Sequence, residues 1–210
     1  MHAADPTAPW QPLSVDGAAA VFAPLGIPWW VAGGWAVELF IGRPVRAHAD
    51  IDIAVRRADT TKLAALRDRF ELFIAHDGTL RAWDGGAVLD HEHQFWARCA
   101  GERAWAFEVL LEYGDGERWR YRRDARVTLP WSRFGIDVAG LPVVAPEVAL
   151  LYKSNGPDLE RNAVDFAAAL PRLGAARRAW LRDALAAVAG GEHPWLAALA
   201  GASARAGRQV

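Results

Sequence analysis

One stretch decides the fold of this chain: it begins Gly33-Gly34-Trp35-Ala36-Val37-Glu38 and ends Asp50-Ile51-Asp52-Ile53. Its second half predicts a strand over 50–55, and residues two apart on a strand share one face. Asp50 and Asp52 therefore point to one side, while the isoleucines point into the core. Two neighbouring carboxylates repel each other and raise each other's pKa unless a cation lies between them. Because a site with only oxygen ligands favours Mg²⁺, the pair predicts a magnesium site.

The two glycines at the start of this stretch lie where an anion can bind. The apolar segment 29–32 predicts a short buried strand, and 35–41 predicts a helix that ends at Gly42. Gly33 and Gly34 form the turn between them, and backbone N–H groups at the start of a helix bind anions such as phosphate. A phosphate beside a metal site indicates phosphoryl or nucleotidyl transfer.

The composition is that of a globular protein without a disulfide framework. Of 210 residues, 52% are hydrophobic and 23% are charged, which allows one large domain or a core domain with a helical appendage. The formal net charge of −1 disfavours non-specific nucleic-acid binding as the main activity. Cys99 is the single cysteine, which excludes an internal disulfide and an all-cysteine zinc site and favours a reducing compartment.

The N-terminal segment contains no recognisable targeting signal. Residues 1–12 have neither the basic nor the apolar region of a signal peptide, and no apolar run in the chain is long enough to span a bilayer. We therefore expect a cytoplasmic protein that makes no membrane contact. Because residues 1–12 are rich in proline and alanine, they predict a loose tail.

The chain divides into a mixed α/β part, 13–145, and a helical part, 146–201. In the first part, Asp59 or Thr60 caps a predicted helix whose apolar stripe ends at Phe70. Pro146 suits the first position of a helix, and the pattern stays helical beyond it. The division predicts a core domain followed by a helical C-terminal domain. Further strands are predicted at 72–75, 79–83, 94–99, 105–112, 126–129, 135–138 and 141–144.

A site built on two carboxylates needs a third ligand, for which Glu108 is the best candidate. In the predicted strand 105–112, Phe107 and Val109 alternate with Glu108, which therefore points away from the core. Its carboxylate can ligate a metal or accept the proton of an attacking hydroxyl. For Glu112, on the same face, a solvent-facing position is the simpler interpretation.

Three basic side chains are further candidates for the site. Arg46 can neutralise a phosphate or pair with Asp50. Lys153 can reach a triphosphate from its helix, or it can be an ordinary exposed helix lysine. For His48, stabilising the loop is favoured over a chemical role.

These residues together resemble the signature of small-molecule nucleotidyltransferases, above all the aminoglycoside 2''-adenylyltransferase and lincosamide nucleotidyltransferase group. The resemblance implies an α+β protein with the polymerase-beta-type nucleotidyltransferase fold, in which a small mixed sheet flanked by helices precedes a helical domain. It continues more weakly through the strand with Glu108 and through 146–166. The matching residues are Gly33 to Glu38, Gly42, Arg43, Arg46, His48 and Asp50 to Ile53.

The resemblance also implies an activity. An enzyme of this group transfers AMP, or another nucleoside monophosphate, from ATP or another nucleoside triphosphate to a hydroxyl of a small molecule such as an antibiotic. Mg²⁺ is the implied metal, and no nucleic-acid or membrane partner is expected. The implied metal-binding and catalytic residues are Asp50, Asp52 and Glu108, and the implied nucleotide-binding residues are Gly33, Gly34, Arg46 and Lys153.

The chain departs from the group's pattern at three positions. Glu38 and Glu108 stand where aspartate is usual, and Asn162 replaces an acidic residue. A nucleotide-binding protein with little or no catalytic activity is therefore an alternative, as is a nucleotidyltransferase that modifies a macromolecule. The acceptor, the preferred base and the oligomeric state are left open.

Overall fold

The computed structural model describes residues 4–156 and 158–201 and has an α+β fold built around one mixed sheet. Its strands are β1 Trp29–Val31, β2 Asp52–Arg56, β3 Phe70–His76, β4 Thr79–Ala82, β5 Gln94–Cys99, β6 Phe107–Gly114, β7 Arg118–Arg120, β8 Thr128–Pro130, β9 Gly135–Val138 and β10 Leu141–Val144. Its α-helices are α1 Val15–Phe22, α2 Gly33–Ile41, α3 Trp131–Phe134, α4 Pro146–Ser154, α5 Leu159–Ala169, α6 Ala175–Ala189 and α7 Trp195–Gly201.

The sheet places the two central acidic strands side by side. Its order is β4-β3-β5-β6-β2-β1-β10-β9, with β7 paired to the end of β6 and β8 paired to β7. Strands β2 and β6 are parallel, whereas β1 runs antiparallel to β2 and leads directly into α2. The turn between β1 and α2 therefore lies beside the start of β2, where the acidic pair was predicted.

The mixed α+β class and the helical C-terminal part are confirmed. Pro146 occupies the first turn of α4, as its fixed φ angle favours. Apolar side chains of the sheet and of helices α4 to α7 pack into one contiguous core. The division into domains at 13–145 and 146–201 stays a prediction.

The prediction of a loose N-terminal tail is wrong for the described part, residues 4–12. Trp10 forms a parallel bridge with Trp105, and the Gln11 amide donates a 2.9 Å hydrogen bond to the Trp105 carbonyl. The indole rings of Trp10 and Trp96 also meet edge to face, with centroids 5.3 Å apart. Backbone pairing and aromatic burial outweigh the local preference of a Pro- and Ala-rich segment for disorder. Residues 1–3, and those after 201, lie outside the described part.

The helix predicted after Asp59 or Thr60 is a 3₁₀-helix, Arg57–Asp68, and it ends before Phe70. The Thr60 hydroxyl donates a 2.6 Å hydrogen bond to the Arg57 carbonyl, within the first turn. Phe70 opens β3 opposite Cys99 of β5. The helical spacing of apolar residues placed Phe70 in the helix. Its pairing with β5, a contact that is long-range in the sequence, places it in a strand instead.

Two short elements, β7 and α3, were not predicted. Trp119 is buried between two exposed arginines of β7, and this alternation of exposed and buried residues could have indicated the strand.

In the described residues, none of the helices combines the length and apolarity needed to cross a membrane.

Candidate functional site

The parallel pairing of β2 and β6 brings two of the predicted carboxylates together. Asp52 is the register partner of Glu108. The next residues along each strand, Ile53 and Val109, are fully buried in the core, so the two acidic side chains point to the opposite face. There the carboxyl groups of Asp52 and Glu108 are within hydrogen-bonding contact of each other. Asp50 lies just before β2, and its carbonyl accepts a hydrogen bond of 3.2 Å from the Trp35 indole.

Burial and like charge perturb both carboxyl groups. Burial, followed by the negative charge of Asp50, raises the pKa of Asp52 to about 6, and Lys153 opposes this only in part. Burial, followed by the charges of Asp52 and Asp50, raises the pKa of Glu108 well above its ordinary value. Two buried carboxyl groups thus meet within the electric field of a third, that of Asp50, which is an environment that favours binding of a cation.

The donor set fits magnesium bound together with a nucleotide. Within residues 4–156 and 158–201, no three His, Cys, Asp or Glu side chains are grouped so as to hold a metal ion by themselves. Mg²⁺ rarely needs such a cage, because one or two carboxylates, substrate phosphates and waters complete its octahedron. Asp52 and Glu108 form such an all-oxygen pair. These residues therefore fit a metal–nucleotide complex better than a resident structural ion.

A cleft of about 390 Å³ connects this pair to the C-terminal helices. Its volume lies within the range of small-molecule binding sites. Five of the seven residues predicted for the site line it, and they are Gly33, Asp50, Asp52, Glu108 and Lys153. Gly34 and Arg46 do not line the cleft.

Gly33 combines an anion-binding position with close packing against Asp52. It begins α2 with φ +60°. The preceding Ala32 supplies no side-chain cap, so within the described residues no side chain caps the first backbone N–H groups of this helix. The Ala32 amide donates a 2.8 Å hydrogen bond to the Asp52 carbonyl. A Cβ atom added to Gly33 would collide with the Asp52 carboxylate. Glycine at this position therefore leaves room for the acidic side chain.

We expect Gly33→Ala to impair the site beyond its backbone strain. Gly26→Ala is the matched control, because Gly26 has φ +64° and an added Cβ would contact nothing within 4 Å. Both variants should lose about 1–2 kcal/mol of unfolding free energy to the left-handed conformation, and Gly33→Ala should lose more and bind nucleotide less tightly. Chemical denaturation and calorimetry measure the two effects, and equal behaviour of the variants would contradict the role of the Asp52 contact.

The loop between α2 and β2 is held by Glu38 and His48. The Glu38 carboxylate accepts hydrogen bonds from the Val45 amide at 2.9 Å and interacts with His48 Nε2 at 3.0 Å. Burial would raise the pKa of Glu38, but these hydrogen bonds outweigh it and leave the pKa below its ordinary value. The His48 ring stacks on Trp35 with centroids 4.4 Å apart. His48 therefore stabilises the loop, which is the role favoured for it from the sequence. Glu38, although aspartate is usual at this position, reaches both of its partners in the loop.

Asp165 of α5 was not predicted, and it connects the two basic candidates. It is 1% exposed and accepts two hydrogen bonds from Arg46, at 3.0 and 3.1 Å, while Lys153 Nζ lies 2.7 Å from Oδ2. Arg46 thus pairs with Asp165 and not with Asp50. Lys153 has a side chain only 12% exposed, so its interpretation as an ordinary surface lysine is wrong. Asp165 lies within the segment 146–166 over which the family resemblance continues more weakly, but only the tertiary structure gives Asp165 its partners.

The solvent-facing position considered for Glu112 is also wrong. Glu112 is 4% exposed, and it lines the cleft. Its Oε2 accepts hydrogen bonds from the Trp119 indole at 2.7 Å and from the Tyr152 hydroxyl at 2.8 Å. Burial raises the pKa of this carboxyl group above its ordinary value, although both hydrogen bonds oppose the shift. Tyr152 belongs to helix α4, so the strand sequence alone cannot indicate this contact.

Comparison with known proteins supports the fold described above. Residues 15–79 match the family model described as aminoglycoside-2''-adenylyltransferase. The fold is similar to the solution structure of the antibiotic-resistance factor ANT(2'')-Ia, with TM-score 0.52, 20% identity and coverage of 89% of this chain and 92% of that one. For crystalline ANT(2'')-Ia in complex with adenylyl-2''-tobramycin, the TM-score is 0.51, the identity 19% and the coverage 81% and 92%. Among curated protein sequences, none matches this chain.

Proposed function

We propose that this chain, a relative of the aminoglycoside and lincosamide nucleotidyltransferases with their fold, transfers a nucleoside monophosphate from a triphosphate to a hydroxyl of a small molecule with the help of Mg²⁺. Its relatives are enzymes, and the group includes a protein solved with adenylyl-2''-tobramycin. An antibiotic-like acceptor and ATP as the donor are the first candidates for its substrates.

One observation carries the proposal. Asp52 and Glu108 meet at paired positions of two adjacent parallel strands, in a cleft that also contains Gly33 and Lys153. A site for nucleotidyl transfer needs acidic metal ligands next to groups that bind phosphate. The core domain 13–145 would supply the carboxylates and the glycine, and the helical domain 146–201 would supply the lysine.

Each residue has a defined task in such a reaction. The N–H groups at the start of α2, beside Gly33, and the ammonium group of Lys153 bind the phosphates and hold the triphosphate in place. Asp50 and Asp52 would hold Mg²⁺, which neutralises phosphate charge when it is bound. Glu108 either adds a ligand or accepts the proton of the attacking hydroxyl. Catalysis then comes mainly from positioning and charge neutralisation.

The proposal predicts that the wild-type protein binds ATP only weakly without Mg²⁺ and releases pyrophosphate when ATP, Mg²⁺ and an acceptor are all present. The measurement is a coupled pyrophosphate assay with aminoglycosides, lincosamides and simple polyols, together with calorimetry of a non-hydrolysable ATP analogue. Absence of Mg²⁺-dependent nucleotide binding would contradict the proposal. Binding without turnover of any acceptor would favour the alternative of a catalytically inactive nucleotide-binding protein.

A further inference from the structure

Asn162, one of the three departures from the group's pattern, makes a contact that an ionised acidic residue cannot make. It lies on α5, is 5% exposed and lines the cleft. Its Nδ2 donates a 2.9 Å hydrogen bond to the main-chain carbonyl of Lys153. A carbonyl accepts hydrogen bonds and cannot donate them, and an ionised carboxylate has only acceptor oxygens. The asparagine amide therefore supplies a donor that an aspartate or glutamate at this position would lack.

Helix α5 holds Lys153 at both ends of the residue. Asn162 contacts its main-chain carbonyl, whereas Asp165 contacts its ammonium group, with Nζ 2.7 Å from Oδ2. Residues three apart on a helix lie on the same face, so one face of α5 makes both contacts. A lysine held only at its ammonium group could still shift its backbone, because the side chain is long and flexible. The two contacts together fix the position of Lys153 relative to α5.

The neighbouring carbonyls at the end of α4 also have partners from distant segments. The last four carbonyls of an α-helix have no partner within the helix. Arg123 donates a 3.1 Å hydrogen bond to the Tyr152 carbonyl, and His193 Nε2 lies 3.1 Å from the Ser154 carbonyl. Because a carbonyl only accepts, Nε2 carries the proton, and Nδ1 accepts from the Trp195 amide at 3.2 Å. The β7–β8 connection, α5 and the turn before α7 therefore converge on the end of α4.

The position of this helix end matters because it forms part of the cleft wall. Tyr152, Lys153 and Gly156 all line the cleft. The Gly156 amide donates a second hydrogen bond, of 3.1 Å, to the Lys153 carbonyl, and a Cβ atom on Gly156 would lie 2.8 Å from Asn162 Nδ2. The C-terminal end of a helix carries partial negative charge, which repels phosphate. Hydrogen bonds donated to its carbonyls reduce that repulsion.

We propose that Asn162 is a positioning residue for triphosphate binding: by capping the Lys153 carbonyl, it holds the ammonium group where the phosphates bind. This inference rests on the proposed function, in which Lys153 binds the triphosphate. Asn162 acts through Lys153 and needs no contact of its own with the nucleotide. The departure at position 162 is then a feature that supports nucleotide binding, and not a mark of lost activity.

The test is a double-mutant cycle on the full-length protein, with Asn162→Leu, Lys153→Met and the combined variant. Calorimetry in the presence of Mg²⁺ measures the affinity for a non-hydrolysable ATP analogue. Leucine keeps the approximate size of the side chain and removes the donor, so affinity should fall about 3- to 10-fold, as for one hydrogen bond. In the Lys153→Met background, the same substitution should leave affinity nearly unchanged, because the two residues act as a unit.

AMP provides a second measurement that does not depend on the affinity left in Lys153→Met. AMP lacks the β- and γ-phosphates, so a residue that acts only through the triphosphate contact of Lys153 should not affect its binding. We expect Asn162→Leu to change AMP affinity by less than about twofold, which is below the effect of one ordinary hydrogen bond. A residue that contacts the nucleoside directly, or that only stabilises the fold around the cleft, would weaken both ligands equally.

Asn155→Leu is the matched control, because Asn155 is exposed and donates its side-chain hydrogen bond, of 3.3 Å, to the Ser154 hydroxyl. Its nucleotide affinity should stay within about twofold of wild type, as for other surface substitutions. If thermal unfolding shows that Asn162→Leu is misfolded, Asn162→Ala removes the same donor with a smaller side chain. Unchanged affinity for the ATP analogue, additive losses in the cycle, or equal losses for the analogue and AMP would overturn the positioning role. Failure of the wild type to bind the ATP analogue would instead overturn the proposed function.

Discussion

Asp52→Asn is expected to lower the rate of pyrophosphate release by about 10³-fold or more. The substitution keeps the shape of the side chain but removes a metal-binding charge, and metal coordination contributes several kcal/mol of charge stabilisation in the transition state. The folded protein should tolerate the change, because Asp52 and Glu108 repel each other at this point. Steady-state kinetics with saturating ATP and Mg²⁺ measure the first effect, and chemical denaturation measures the second.

Asp90→Asn is the control for this experiment. Its side chain is fully exposed, and its one ion pair, with Arg57, is long at 3.9 Å. We expect wild-type kinetics from this variant. If Asp52→Asn retained more than about one tenth of the wild-type rate, the assignment of Asp52 as a metal ligand would not hold, since such a loss is close to that of a single ordinary hydrogen bond.

Asp165→Asn should lower the unfolding free energy by about 3–5 kcal/mol at neutral pH, because it removes one partner of a buried ion pair. Arg46 and Lys153 would then lie next to each other with no anion between them. Since Lys153 is also expected to bind the triphosphate, nucleotide affinity should fall in parallel. Urea denaturation with and without the ATP analogue measures both changes.

The pH dependence of this stability difference has a defined sign. Burial raises the pKa of Asp165, but hydrogen bonds from Arg46 and Lys153 and their positive charges outweigh it and hold the pKa below the ordinary value of 3.8. The stabilisation is therefore fully present above pH 3.8, and it disappears as the pH falls through the lower pKa of the folded state. Wild type and Asp165→Asn should converge only in acid.

A matched substitution distinguishes the buried triad from an ordinary ion pair. Asp183 pairs with Arg182 at 2.8 Å, and their side chains are 68% and 45% exposed. Asp183→Asn should change stability by less than about 1 kcal/mol, as exposed pairs do. A loss of similar size in both variants would mean that Asp165 contributes no more than a surface residue.

Much of the secondary structure could be predicted from local patterns of apolar residues, glycine and proline. Strands β5, β9 and β10 have the bounds that the sequence predicts, and Pro146 begins α4. These signals depend on neighbours along the chain, which is why they succeed. Two predictions were wrong: the helix that was expected to include Phe70 and the loose tail that was expected around Trp10. Pairing with residues that are distant in the sequence determines the structure of both segments.

For the candidate site, too, some residues could be predicted from the sequence and others only from the tertiary structure. The sequence by itself determined the acidic pair, the glycine turn and Glu108, because these residue types at these spacings are constrained by backbone geometry and by the chemistry of magnesium and phosphate. Only the tertiary structure decided that Asp165 joins Arg46 to Lys153 and that Glu112 lies inside the cleft. The partners in those contacts are 119, 12 and 40 residues apart in the chain, so the contacts exist only after helices α4 and α5 have packed against the sheet.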